Sequence, residues 1–316
     1  MAPKRAGKKR TVDDVAAEPA AASPSSSSYV DTVASVGSTE PVDSSKAAKV
    51  DDDDNEPSVS KGRDYKTIGA PVKTIGKEGQ GQGGLSYPYG LALDTAGNIV
   101  VCEYGNKRVQ MFSKDGGHLR FICLGLRVHG VSLAPSGDIW VADNSNDLRL
   151  YDPHSGALVR SIAAKSMYCA SLPDGSVVVS CASPAVRLYN TAGEQKWESS
   201  GSGLTKTHGV CYVPDINAVA VCERGKGNVQ LLSLADGRHL RTIGAGQMHF
   251  AHSIAYDAAA KVLVVGDADK VSAWTLEGQL VHQWGKGTVR HAWGVAIDPS
   301  DSTIYVSDNK HRILVY

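Results

Sequence analysis

A repeat of about 40 residues constrains this chain more than any other feature of its sequence. Each unit opens with a small residue, and the intervals between the six opening residues are 40, 40, 39, 44 and 41. A second marker, the residue that closes the third strand of each unit, recurs at intervals of 39, 38, 43, 42 and 42. The opening residues are Gly90, Gly130, Ala170, Gly209, Ser253 and Gly294, and the closing residues are Phe112, Tyr151, Tyr189, Leu232, Trp274 and Tyr316. Two independent markers keep one period, so the units are structural repeats.

Each unit contains four short segments with the pattern of β-strands. The second segment is a short apolar run, such as Ile99–Val101 or Ile304–Val306, and residues typical of turns precede it. A fourth segment, such as His118–Ile122 or His239–Ile243, follows the third. Four strands in about 40 residues form one propeller blade. The six units therefore predict an all-β, six-bladed β-propeller.

The sixth unit stops at Tyr316 after its third strand and needs a fourth strand from elsewhere. Upstream of the first unit, Lys66–Gly69 and Lys73–Gly76 both repeat the sequence KTIG, which resembles Arg241–Gly244 at the end of the fourth unit. We expect one KTIG segment to complete the last blade. This pairing closes the ring and hides two sheet edges.

Three segments follow from the composition. Residues 1–60 are rich in Ala, Ser, Pro, Asp and Lys and have few large apolar side chains, so we expect a disordered tail. Residues 61–84 hold the closing strand and a Gly-rich stretch at 76–84 that we expect to be a flexible connector. Residues 85–316 form the propeller. The tail carries 7 basic and 11 acidic side chains and residues 61–316 carry 26 and 22, so their net charges are −4 and +4.

The tail begins with a basic cluster, Lys4–Arg10, which predicts either a nuclear-import signal or a solvated segment without an address. No apolar run reaches the roughly 20 residues that span a bilayer, and the first residues lack the apolar stretch of a secretory signal. We therefore expect a cytoplasmic or nuclear monomer that has no membrane partner and is not secreted. The six cysteines are then expected to be reduced thiols.

Two phrases identify a family resemblance. Residues 294–316, GVAIDPSDSTIYVSDNKHRILVY, and residues 90–112, GLALDTAGNIVVCEYGNKRVQMF, resemble NHL repeats. The motif runs from a glycine through an apolar strand to Asp, then through a turn and a second strand to an acidic residue and Asn-x-Arg. The resemblance covers residues 85–316 and is weakest in the third and fifth units. It implies a propeller that binds protein or RNA, because NHL propellers include both kinds of module.

The chain also resembles peptidyl-α-hydroxyglycine amidating lyases, which are enzymes with related propellers. His208 and His252 open units as lyase histidines do, Arg224 resembles the lyase arginine, and Tyr104 resembles the lyase tyrosine. This resemblance implies an alternative function, a zinc-assisted lyase or hydrolase at the mouth of the central channel. Two departures count against it: Tyr104 and Arg224 are three units apart, and the two histidines lie on adjacent units.

The residue before each opening residue is expected at the channel mouth. Four of these six are His129, Cys169, His208 and His252. The three histidines predict either a zinc site or side chains that plug the channel, and we expect no cofactor if they plug it.

The loops between second and third strands carry the candidate binding face. Its residues are Lys107, Arg108, Arg149, Arg224, Lys226, Lys270, Lys310, His311 and Arg312. These side chains either contact the phosphates of a single-stranded RNA or a protein partner, or stabilise the blades as part of the repeat. The acidic residues Glu103, Asp143, Glu223, Asp267 and Asp308 recur once per unit, which favours a structural role. We expect a binding scaffold rather than an enzyme.

Overall fold

The computed structural model describes residues 62–122, 125–181, 184–199 and 203–316. The predicted tail and its basic cluster Lys4–Arg10 lie outside these ranges. The described helices are two short 3-10 turns, Tyr65–Thr67 and Pro214–Ile216, and neither is long or apolar enough to span a bilayer. The described residues otherwise form strands and loops.

Six antiparallel four-stranded sheets form the predicted propeller, so the fold class is confirmed. Blade 1 has Pro88–Leu93, Ile99–Glu103, Arg108–Phe112 and His118–Ile122; blade 2 has Gly130–Leu133, Ile139–Ala142, Leu148–Tyr151 and Leu158–Ile162; blade 3 has Tyr168–Ser171, Val177–Ser180, Val186–Tyr189 and Gln195–Glu198. Blade 4 has Thr207–Val213, Ala218–Glu223, Asn228–Ser233 and His239–Ile243; blade 5 has Ser253–Asp257, Val262–Gly266, Val271–Thr275 and Leu280–Trp284; blade 6 has Gly294–Ile297, Ile304–Asp308, Arg312–Val315 and Lys73–Ile75. First strands of neighbouring blades contact each other around a central axis.

The hydrophobic core lies between the blades. Six clusters of buried side chains each join two neighbouring blades, including one between blades 6 and 1. Second strands are buried on both sides, as in Ile99–Glu103 and Val262–Gly266. This burial explains why they are continuous apolar runs rather than alternating ones.

The last blade receives its fourth strand from the N-terminal side. Lys73–Ile75 pairs antiparallel with Arg312–Val315, so the second KTIG copy is the closing strand. In the first copy, the Ile68 carbonyl accepts a hydrogen bond from His282 Nε2 at 3.1 Å. Nearby, Tyr65 Oη donates to buried Asp257 at 2.8 Å.

One recurring contact ties the outer strands together. In most blades, a side chain near the middle of the fourth strand reaches the turn that follows the third strand of the next blade. The pairs are Arg120 with Pro153, Arg160 with Thr191, Trp197 with Leu234, Arg241 with Leu276, and Lys73 with Asp115; His282 with Ile68 completes the ring.

We call the end of the propeller with the loops between second and third strands the tip-bearing face. The segment that enters each first strand from the preceding blade lies on this face as well, and we call it the incoming connector. The opposite end, with the other two turns of each blade, is the turn-bearing face.

Candidate functional site

Small residues at the start of the first strands surround the central axis. A Cβ atom on Gly90 would lie 2.7 Å from the His129 carbonyl oxygen, and one on Gly209 would lie 2.8 Å from Ser253 Cα. Real Cβ atoms do not approach backbone so closely. The opening residues are therefore small because neighbouring first strands nearly touch.

Blade 3 departs from this rule. Tyr168 pairs with Ser180 at the end of the second strand, just as Gly130 pairs with Ala142 in blade 2. Tyr168 is thus the opening residue of the third unit, and the prediction of Ala170 was wrong by two positions. The small residue that marks the start of the other units misidentifies the start of the third unit, because this blade has a tyrosine where the other blades have Gly or Ser.

The Tyr168 side chain closes the central channel. It lines both the basin at the channel mouth and a cavity of about 40 Å³ deeper in the channel. Its hydroxyl lies 3.3 Å from His252 Nδ1, and its ring centroid is 5.7 Å from that of His208. Tyr168 therefore forms the floor of the basin.

The basin at the mouth has a volume of about 560 Å³. Tyr89, His129, His208, His252 and Trp293, each of which precedes an opening residue, line it as expected. Further lining residues are Tyr87, Met167, Tyr168, Arg224, Phe250, Asp267, Ala268, His291, Ala292 and Asn309. The walls are thus mostly aromatic rings and imidazoles.

Cys169 is not part of this ring of residues. Its thiol packs between blades 2 and 3, with Sγ 3.9 Å from the Trp140 carbonyl oxygen, and burial raises its pKa to about 12. Met167 precedes Tyr168 and lines the basin instead. The shift of two positions in blade 3 is the reason.

The three histidines of the predicted zinc site are brought together only in part. The ring centroids of His208 and His252 are 4.5 Å apart. Tyr89 stacks on both His252 and His129, at 5.9 and 5.4 Å, so a tyrosine ring contacts both imidazoles. Among the residues that the structure describes, no group of three His, Cys, Asp or Glu side chains is arranged to hold a metal ion.

Burial keeps these imidazoles neutral. It lowers the pKa of His208 to about 4, and the positive charge of Arg224 acts in the same direction. Burial also lowers the pKa of His252, well below its ordinary value, and that of His129. His252 Nδ1 lies 3.2 Å from the Trp293 carbonyl oxygen. Because a carbonyl only accepts, Nδ1 of His252 carries the proton in this contact.

The recurring acidic residues hold the incoming connectors. Glu223 accepts hydrogen bonds from the backbone amides of Thr205 and Lys206 at 2.7 and 2.9 Å, and Asp267 accepts from those of His249 and Phe250. Glu103, Glu223, Asp267 and Asp308 are all buried. Their role is structural, because each carboxylate satisfies amides of a loop that has no strand partner.

Several predicted binding residues serve the same purpose. Arg108 is buried and donates to Glu103 at 2.6 Å and to the carbonyls of Gln80, Gly81 and Gly84. It therefore does not belong to an exposed binding face. The same contacts show that 76–84 is a hydrogen-bonded loop rather than a flexible connector, since Lys77–Glu78 also pairs with Gly84–Leu85.

Other basic residues of the tips also have partners within the fold. Arg149 pairs with Asp143 at 2.7 Å, Arg312 pairs with Asp308 at 3.2 Å, and Lys270 lies 4.0 Å from Asp267. His311 Nδ1 accepts from the Tyr87 backbone amide at 2.9 Å. These side chains stabilise loops first, and their capacity to bind a partner is reduced accordingly.

Four predicted residues keep donors that face outward or into the basin. Lys107, Lys226 and Lys310 are exposed at the tips; Lys226 donates to the Gly203 carbonyl and Lys310 to that of Thr288. Arg224 lines the basin, with its guanidinium 5.1 Å from the centroid of the Phe250 ring. Tyr104, the lyase-like tyrosine, packs on Tyr89 and accepts from Arg127 at 3.0 Å instead of entering the basin wall.

The sequence pattern did not predict a ring of exposed residues on the tip-bearing face. It occupies the third position before each opening residue, on the incoming connectors, and all six members are exposed. In blade order from blade 1 to blade 6 they are Tyr87, Arg127, Lys165, Lys206, Phe250 and His291. The aromatic and imidazole members lie on blades 5, 6 and 1, and the basic members lie on blades 2, 3 and 4.

We call these two halves the aromatic arc and the basic arc. Tyr87 and Phe250 are each 45% exposed, which is unusual for rings of this size. The signal was present in the sequence, but only a correct opening residue for blade 3 places Lys165 in the series.

Comparisons with known proteins agree with the fold. A family model described as NHL repeat matches residues 85–112. Protein lin-41 of Caenorhabditis elegans is 43% identical over 63 residues, which are 19% of this chain and 6% of that protein. The E3 ubiquitin-protein ligase TRIM71 of Rattus norvegicus is 43% identical over 58 residues, 18% of this chain and 7% of the ligase. NHL repeat-containing protein 3 of Homo sapiens is 43% identical over 42 residues, 13% of this chain and 12% of that protein. The matches thus span a small part of each relative.

Proposed function

We propose that this chain, a six-bladed β-propeller in which one repeat matches the NHL family model, is a binding scaffold for a protein or single-stranded RNA partner on its tip-bearing face. The proposal does not extend to ubiquitin-ligase activity, since the matched segments are a small fraction of the ligase that carries that name.

The observation that carries the proposal is the division of this face into two arcs. Arg127, Lys165 and Lys206 are exposed on three consecutive blades, and Tyr87, Phe250 and His291 are exposed on the other three. Cations contact phosphates and aromatic rings stack on unpaired bases, which are the two contacts that single-stranded nucleic acid requires. The arcs therefore favour single-stranded RNA over a protein partner.

The number of unpaired cations on the tip-bearing face determines how strongly RNA binding should depend on salt. Arg108, Arg149 and Arg312 are engaged by acidic residues of their own blades, so the basic arc and the exposed lysines of the tips supply the available cations. Such a surface makes few phosphate contacts. Binding should therefore depend on stacking as well as on charge, and its salt dependence should be moderate.

The test measures binding of the full chain to a fluorescent single-stranded 12-mer RNA as a function of salt concentration. A triple variant of the basic arc, Arg127→Ser with Lys165→Ser and Lys206→Ser, should reduce the slope of log K against log salt by about 2, at roughly 0.7 per lost phosphate contact. Phe250→Ala should weaken binding at all salt concentrations by removing a stacking ring.

The control carries the same change of charge on other surfaces. Lys196, Arg238 and Lys261 are exposed on an outer strand and the turn-bearing face, and their replacement by Ser should leave binding unchanged. If both triple variants reduce the slope equally, binding is diffuse and the face has no special role. If the RNA does not bind and a protein is captured equally with and without RNase, the partner is a protein.

One observation supports a second candidate, an enzyme at the channel mouth. His208 and His252 lie together in a deep basin with lowered pKa values, and such groups are common in active sites. The lyase-like residues Tyr104 and Arg224 and a zinc site at His129, His208 and His252 stay predictions. Equilibrium dialysis followed by elemental analysis tests the zinc site, and the absence of zinc uptake would remove it.

A further inference from the structure

The basin holds one arginine, Arg224, that forms no ion pair with the described residues. Glu223, the neighbouring carboxylate, is occupied by Thr205, Lys206 and Gly225. Within the part of the chain that the structure describes, Arg224 forms no ion pair, and its buried Nε atom has no hydrogen-bond partner. Arg108, Arg149 and Arg312, by contrast, each pair with a carboxylate.

An imidazole beside Arg224 adds further hydrogen-bonding capacity. The Nδ1 atom of His208 is buried and has no hydrogen-bond partner among the residues that the structure describes. A buried N–H without an acceptor is costly, so the proton of this neutral ring belongs on Nε2. His208 is then a donor through Nε2.

Among the described residues that line the basin, no carboxylate oxygen is left without a hydrogen-bond donor. The one carboxylate among the lining residues, Asp267, is buried and accepts from the backbone amides of His249, Phe250 and Ala268. Burial is the main reason that the pKa values of His208 and His252 are lowered, the guanidinium of Arg224 lowers both further, and Glu223 acts in the opposite direction on His208. An anion at this place would be stabilised by all of these groups.

We propose that the basin binds a carboxylate attached to an aromatic or apolar group, with the carboxylate on Arg224 and the apolar part against Phe250, Tyr87 and Trp293. A carboxylate matches the planar fork of an arginine and carries a single charge, as one cation among neutral imidazoles requires. A volume of about 560 Å³ lies in the range of small-ligand sites and exceeds that of a single aromatic acid. The chain end of a peptide and a free organic acid share this chemistry.

The carboxylate contact is separate from the basic arc that is proposed to hold RNA. It depends on Arg224, whereas Tyr87 and Phe250 belong both to the aromatic arc and to the basin wall. Arg224→Gln should therefore weaken binding of the acid, and the triple variant of the basic arc should lower only the salt dependence of RNA binding, so that the two activities can be lost separately.

Isothermal titration of the full chain tests the proposal with three probes: N-acetylphenylalanine, its amide, and a tetrapeptide that ends in phenylalanine with a free carboxylate. The acid should bind and the amide should not. Tighter binding of the tetrapeptide than of N-acetylphenylalanine identifies a peptide chain end as the ligand, and equal affinities identify a free acid.

Variants locate the contact. Arg224→Gln should weaken binding of the acid about ten- to a hundredfold, the usual loss for a hydrogen bond to a charged group, and Arg224→Lys should restore part of it. Arg290→Gln removes the same charge from an exposed position on an incoming connector of the same face and should leave the affinity unchanged, and thermal melts verify that all three variants fold.

Ring-proton NMR gives a second readout, since bound carboxylate should raise the pKa of His208 from about 4. Equal binding of acid and amide, or equal losses in Arg224→Gln and Arg290→Gln, would overturn the proposal. Binding of phenyl phosphate in place of the carboxylate would do the same and would assign the basin to phosphate.

Discussion

Blade 1 and blade 3 share one strand order but differ at two equivalent positions. Blade 1 opens with Gly90 and ends its second strand with Glu103, whereas blade 3 has Tyr168 and Cys181 at these places. In blade 1 the carboxylate and Arg108 fix the incoming connector. In blade 3 the tyrosine closes the channel, and Arg187 donates to the Cys181 thiol at 2.9 Å.

The difference separates residues that build the propeller from residues that distinguish its mouth. A position that recurs in the blades, such as the acidic residue at the end of the second strand, supports the incoming connectors of blades 1, 4, 5 and 6 in the same way. A position that breaks the recurrence gives one blade a side chain that the others lack. Tyr168, Arg224 and the two arcs are all of the second kind, and all lie on the tip-bearing face or directly beneath it.

The largest effect is expected at the acidic residue of blade 1. Glu103→Ala removes the partner of buried Arg108 together with acceptors for Ser86, Asn106 and Gln110. Removal of one member of a buried ion pair costs about 3–5 kcal/mol of unfolding free energy. Urea unfolding of the full chain measures the loss.

The same position in blade 3 is the matched control. Cys181→Ala should cost about 1 kcal/mol, because it removes a small side chain and Arg187 keeps Glu198 at 2.8 Å. Similar losses in the two variants would mean that the acidic residue has no special structural role in blade 1.

The second effect concerns pH and the mouth residue His208. Its pKa in the folded chain is about 4, below the ordinary 6.5, so the unfolded chain binds the proton more tightly. Stability is therefore complete above pH 6.5 and falls as the pH drops toward 4, by up to about 3 kcal/mol. Unfolding curves of the wild type and of His208→Gln at these two pH values measure this term.

The variant His208→Gln cannot titrate and should lose less stability on acidification than the wild type does. His252 and His129 also have lowered pKa values and destabilise both proteins on acidification. Subtracting the loss of the variant from that of the wild type removes this shared contribution. If both proteins lose stability equally, His208 is not buried in its neutral form.

The structural features that recur in every blade could be predicted from the sequence. Because the second strands are buried on both sides, they must be short apolar runs, and because the first strands approach closely, they must open with small residues. The six blades and their period could therefore be read from the sequence. A closing strand could be predicted because two KTIG segments resemble Arg241–Gly244 of another fourth strand, although the sequence did not distinguish between the two copies. These constraints come from packing that every blade shares.

The mouth was predictable only in part. Tyr168 was missed because a search for a small residue cannot find the blade that replaces it, and only the register with Ser180 identifies it. The role of Arg108 was assigned to binding because a sequence does not show that a charge is already paired with Glu103. The arcs were missed because exposed connector residues obey no packing period.

A third effect is expected when the opening residue of blade 2 is enlarged. A Cβ atom on Gly130 would lie 2.6 Å from Tyr168 Cα, so Gly130→Ala forces two first strands apart at an estimated cost of about 1–3 kcal/mol. Gly69→Ala is the control, since no atom lies within 4 Å of its Cβ position, and it should change stability by less than about 0.5 kcal/mol. A neutral Gly130→Ala would show that the strands have room to move.

The smallest effect is expected for Tyr168→Phe, which keeps the ring that closes the channel and removes only its hydroxyl. The hydroxyl lies 3.3 Å from His252 Nδ1, which also contacts the Trp293 carbonyl at 3.2 Å, so His252 keeps a partner in the variant. The loss should be about 0.5–1.5 kcal/mol, the net contribution of one hydrogen bond. Thermal unfolding measures this loss. A loss as large as that of Glu103→Ala would mean that the Tyr168 hydroxyl, rather than the bulk of its ring, provides most of the stability at this position.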